Sequence, residues 1–165
     1  MTIHSSHPFA SDPDPVRRFR GRLGGAVSLW TAGDEDRRAG LTVSSLMVAN
    51  GLPGRVLGLL DPDATLAEVL VETGRGVVQL LQWPDRRLAD AFGGVAPAPG
   101  GPFTLGTWTQ TAHGPALADR TRALVSVESV GEVGWSVLVT ATIEEVTMVE
   151  DRHALEHRRG RYHQP

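Results

Sequence analysis

Three hydroxyl side chains fall within four positions of the stretch "AGLTVSSLMVAN" (39–50): Thr42, Ser44 and Ser45. In an extended chain successive side chains alternate faces, which puts Thr42 and Ser44 on one face and Val43 and Ser45 on the other. Hydroxyls and main-chain N–H groups donate hydrogen bonds without adding fixed charge, so they suit phosphate and carbonyl ligands. An edge strand with solvated hydroxyls has the same pattern, and spacing alone leaves both readings open. A second candidate is "LLDPDATL" (59–66), where Asp61 and Asp63 flank Pro62 and Thr65 opens a helical pattern. A helix N-terminus offers free N–H groups and partial positive charge to a phosphate. Asp61 or Asp63 capping that helix would instead be ordinary turn chemistry.

Other chemistries find little support. The absence of cysteine removes disulfides, thiolate zinc sites and a cysteine nucleophile, and it fits a reducing cytoplasm. Of the six histidines, His4 and His7 lie near the start, His113 stands alone, and His153, His157 and His163 lie near the end. None forms an H-E-x-x-H helix, and no metal site is expected. There is no G-x-S-x-G elbow, and "GRLGGAVS" matches neither the dinucleotide fingerprint nor the P-loop. Net charge is −3 and sixteen arginines are scattered among acids, with no lysine, so no nucleic-acid footprint is visible. No apolar run reaches the roughly 18 residues of a membrane span.

Positioning these residues requires a mainly β chain. Residues 1–14 read as a flexible leader, polar and proline-rich, and 15–165 as one domain. Pro15 opens a helix through "VRRFRGRL". The runs 24–33 and 39–49 predict a hairpin, 54–62 a third strand, and 76–83 a buried strand. Helices are expected at 63–74 and 84–94, each closed by glycine. Residues 95–107 form a glycine- and proline-rich loop, followed by three strand-like stretches and a basic, polar tail. Trp30, Trp83, Trp108 and Trp135 are spread one per strand-like segment, for core packing or for stacking on an aromatic ligand. Six or seven strands without regular α/β alternation point to an antiparallel β-barrel with a few α-helices.

In order, "FRGRLGGAVSLWTA", "AGLTVSSLMVA", "RVLGLLDPDATLAEVL", "GRGVVQLLQWPDRRLADAFGG", "GPFTLGTW", "HGPALAD" and "HRRGRYH" resemble the flavin reductase-like family of FMN-binding split-barrel proteins, over residues 17–162. The resemblance implies a Greek-key split barrel acting as a homodimer, with FMN or FAD bound and NAD(P)H as cosubstrate. Reduced flavin would pass to a partner monooxygenase. It further implies that Thr42, Val43, Ser44, Ser45 and the backbone from Leu46 through Val48 to Asn50 face the flavin. Asp61, Ala64 and Thr65 would lie by the ribityl phosphate, Gln79 would contribute from its strand, and Arg159, Arg161 and Tyr162 would close over the site. The chain departs from the family at "EVGWSVLV", where Gly134-Trp135 replaces a G-D-H stretch, and at the single Pro53. Trp135 would then take the nicotinamide's place or stack on the ring. A protein that binds flavin, deazaflavin or haem without NAD(P)H turnover is the alternative.

Overall fold

The computed structural model describes residues 14–150 and 153–165. Residues 1–13 of the expected leader lie outside the described residues. Asp14 accepts a hydrogen bond from the Val16 N–H at 2.9 Å and so caps α1 (Pro15–Leu23), whose first residue needs no amide partner. The elements that follow are β1 (Gly25–Ala26), β2 (Ser28–Ala32), β3 (Ala39–Val43), β4 (Leu46–Ala49), β5 (Arg55–Leu60), α2 (Thr65–Thr73), β6 (Arg75–Leu80) and α3 (Arg86–Phe92). Then come β7 (Trp108–Thr111), β8 (Gly114–Leu117), β9 (Arg122–Val133), β10 (Ser136–Thr147), β11 (Glu156–Arg158) and β12 (Arg161–His163).

The main sheet has seven strands in the order β3-β2-β6-β9-β10-β5-β4. Residues 39–49 are therefore not the single strand their continuous β-character predicts. β3 pairs with β2 at one edge and β4 pairs with β5 at the other. Only Ser44 and Ser45 separate them, and three residue steps span at most about 11 Å. The sheet must curl until its edges nearly meet, and the hydroxyl pair carries the chain across the split. The fold is the mainly β, split-barrel class expected.

Two apolar clusters hold this shape. One, inside the curl, packs Trp30, Val43, Val56 and Leu60 against Leu66, Val69 and Leu70 of α2. Close approach is built in, since a Cβ on Gly58 would come within 2.6 Å of the Trp30 ring. The second packs Val27, Leu29 and Leu155 against Leu88 and Phe92 of α3.

Residues 95–107 are the expected loop, pinned by a 3-10 turn at Pro102–Thr104 that sets the Phe103 ring edge-on to Phe92 and to Trp108, each at 4.9 Å. Two local expectations are corrected. The tail is not merely polar, because β11 pairs with β12 and with β1 while Leu155 is buried. The cap of α2 falls on Ala64, without a side-chain bond, and the Asp61 carboxylate instead accepts the Asp63 N–H at 2.9 Å.

Candidate functional site

Where the chain crosses the split, a cleft of about 450 Å³ opens between α1, the β4–β5 hairpin and β11. Its floor is apolar: Leu46, Met47, Leu57 and Leu59, with Leu138 from β10. Its rim is polar and basic: Ser44, Ser45, Arg17, Arg20 and His157. The size suits a small organic ligand, and a mostly apolar lining with a few placed polar groups is what such ligands require.

The rim is organised by hydrogen bonds. The Ser45 carbonyl accepts the Leu59 N–H at 2.9 Å, which ties the crossing segment to β5. The Arg20 guanidinium donates to Ser45 Oγ. Burial first, and Arg17 beside it second, lower the Arg20 pKa from its ordinary value. A guanidinium penalised in this way is stabilised by an anionic ligand. His157 is 7% exposed and its Nε2 is buried without a hydrogen-bond partner.

Of the residues nominated from the sequence, the structure brings Ser44 and Ser45 to the cleft. Thr42 is buried and its hydroxyl donates to the Ala89 carbonyl of α3 at 2.6 Å, while Val43 packs inside the curl. Val48 and Asn50 are exposed at the far end of the β4 segment. Asp61 and Thr65 are exposed around the turn into α2, with Ala64 half-buried between them. Gln79 is fully buried, its Nε2 donating to Thr31 Oγ1 at 3.0 Å and its Oε1 accepting the Leu117 N–H at 2.5 Å. Tyr162 donates its hydroxyl to Asp90 at 2.6 Å, and burial, with Asp90 second, pushes its pKa above the ordinary tyrosine value. Arg161 is exposed, and Arg159 occupies the β11–β12 turn with φ 53°. The Arg159 N–H bonds the Gly21 carbonyl at 2.7 Å, so the tail hairpin does close against α1. Trp135 is 89% exposed at the tip of the β9–β10 hairpin.

The sequence reading missed the polar cleft residues Arg17, Arg20 and His157, and the floor residues Leu57, Leu59 and Leu138. The signal for the arginines was their three-residue spacing, which places both on one face of α1. For His157 it was alternation with buried Leu155, obscured by the surrounding charges.

The fold and site define a curled mainly β protein with a cleft that is apolar on its floor and polar and basic on its rim. Residues 20–165 match the model of the flavin reductase like domain, and the chain belongs to that family. FMN reductase (NADH) RutF of Pantoea ananatis is 27% identical over 158 residues, covering 93% of this chain and 82% of that protein. The RutF of Variovorax paradoxus is 30% identical over 122 residues, covering 70% of this chain and 67% of the other. Among solved structures, a homologue of nitrilotriacetate monooxygenase component B from Mycobacterium thermoresistibile superposes with a TM-score of 0.83, at 21% identity and covering 94% and 88% of the two chains. The styrene monooxygenase flavin reductase of Pseudomonas putida S12 does so at 0.80, with 23% identity and coverage of 92% and 97%. Among the described residues, no helix is long and apolar enough to cross a membrane.

Proposed function

We propose that this chain is an NADH-dependent FMN reductase, with residues 15–165 as its single domain, working in the cytoplasm as a homodimer. The observation that carries this reading is the cleft at the split, apolar on its floor and basic on its rim. The residues fit a flavin on their own chemistry. Leu46, Leu57, Leu59 and Leu138 offer an isoalloxazine an apolar bed that excludes water. Ser44 and Ser45 supply hydroxyls for its polar edge, and Arg17 and Arg20 supply positive charge for a phosphate. Bound flavin supplies a two-electron acceptor for hydride from the nicotinamide. The chain has only to bind, orient and shield the ring, so the lack of an acid–base pair is consistent with this chemistry.

The names of the curated relatives support FMN and NADH, and the structural neighbours support delivery of reduced flavin to a partner monooxygenase. A second copy of the chain is supported by exposed apolar side chains: Phe19 on α1, Met47 and Val48 on β4, and Val133 and Trp135 at the hairpin tip. Gly134-Trp135 favours the second reading, a flavin-binding protein without NAD(P)H turnover. FMN titration, followed by NADH and NADPH oxidation and light scattering on the same sample, separates these. Binding with NADH oxidation is expected. Binding without oxidation selects the second reading, and no binding overturns both.

A further inference from the structure

His157 is a cleft residue whose hydrogen bonding is incomplete. It stands mid-strand in β11, opposite Gly25 of β1 and Tyr162 of β12. Pairing on both sides fixes its backbone, and the Tyr162 ring packs edge-on against it at 5.8 Å between centroids. It lines the cleft opposite the β4–β5 floor, yet its Nε2 is buried and has no partner. A buried polar atom left unpaired is destabilising, and such atoms in native folds call for a water, an ion or a ligand. Burial first and Arg20 second lower the imidazole's pKa, which leaves a neutral ring with one N–H and one acceptor nitrogen. The edge of an isoalloxazine carries mostly acceptor atoms.

We propose that His157 is a direct flavin contact, its Nε2–H donating to the polar edge of the bound ring. This rests on the reading of the cleft as a flavin site. It assigns a ring-binding imidazole to the tail strand β11, which pairs with β1 beside the Ser44–Ser45 crossing. The contact is to the ring and not the phosphate, so FMN and riboflavin feel it alike.

The test compares wild type with His157→Phe, which keeps a flat ring against Tyr162 and loses both nitrogens, and with His157→Gln, which keeps an N–H donor. The Phe variant is expected to hold or raise the melting temperature of the apo protein. Its Kd for FMN and for riboflavin should each rise about tenfold, with partial recovery in the Gln variant. Alongside, ¹⁵N-histidine-labelled wild type is titrated with FMN. The His157 imidazole, recognised by its proximity to the chain's single tyrosine, should shift as the site saturates. If a variant fails to fold, this titration decides alone. FMN binding with an unmoved His157 signal overturns the proposal while leaving the flavin site standing. So does a Phe variant that melts earlier yet binds FMN normally, because His157 would then be structural. Failure of wild type to bind either flavin removes the reading beneath it.

Discussion

Replacing Gln79 with methionine separates a residue that holds the fold from one that holds the flavin. Its amide bonds Thr31 Oγ1 at 3.0 Å, the Pro115 carbonyl at 3.4 Å and the Leu117 N–H at 2.5 Å, all within the core. In Gln79→Met, Thr31 Oγ1 still donates to the Pro115 carbonyl at 2.5 Å, so those two groups keep each other. The Leu117 N–H, on a residue 3% exposed, is left without its partner. An orphaned buried donor costs about 1–3 kcal/mol and the lost 3.0 Å bond to Thr31 about 1 kcal/mol net, the 3.4 Å contact adding little, which together give a loss of about 2–4 kcal/mol. For a domain of this size that lowers the melting temperature by about 5–15 °C. Thermal unfolding by circular dichroism measures the loss, and FMN titration well below the transition measures binding by the folded fraction. FMN affinity should stay within about twofold of wild type. A variant that melts normally, or one that is fully folded yet binds FMN tenfold more weakly, would refute the assignment of Gln79 to the core.

Arg20→Ala should weaken FMN binding by about tenfold while changing riboflavin binding much less. Equal losses for both flavins, read by fluorescence quenching, would remove the phosphate from the basic rim. Asp85→Asn breaks a bidentate pair with Arg120, both bonds at 2.7 Å, and weakens acceptance of the Gln82 N–H at 2.8 Å. With side chains only 9% and 17% exposed, the cost should be about 3 kcal/mol in urea unfolding, without effect on FMN affinity. The depressed pKa of His157 means that the unfolded chain takes up this proton more readily than the folded one. Its contribution is intact at neutral pH and is lost as pH falls below about 6.5 towards the lower folded value. His157→Phe should flatten that part of the stability-versus-pH curve, and an unchanged slope would assign the loss to other groups.

Much of the scaffold was legible from local signals. Pro15 with Asp14 before it marks α1, glycines 74 and 93 close α2 and α3, and the apolar run Val77–Val78 announces a buried strand. The division of 39–49 was not, because no glycine or proline marks it. Only the tertiary pairing of Thr42 with Leu29 and of Val48 with Val56 separates β3 from β4. Strands β11 and β12 are three residues each, and pairing with one another and with β1 stabilises them more than any propensity of "EHR" or "RYH". In the candidate site, Ser44 and Ser45 were legible as an unusual hydroxyl pair. Thr42 and Gln79 carried the same polar signal, since a satisfied buried polar residue and a ligand contact look alike until their partners are seen. Arg20 and His157 were hidden because their roles depend on α1 and the tail meeting over the split.

The split also bears on how the chain finds this shape. In a barrel laced from consecutive hairpins, closure waits on a meeting between the first strand and the last. Here the two edge strands are joined through Ser44 and Ser45, so closing the seam demands almost no search and little loop entropy. The demanding encounters lie elsewhere in the ladder. β6 must reach β9 across α3 and the β7–β8 hairpin, and β5 must reach β10 from still farther along the chain. Contacts of that separation govern the rate of folding. The seam is therefore easy to close, whereas the cleft astride it is complete only once β10, β11 and α1 have arrived from distant parts of the chain.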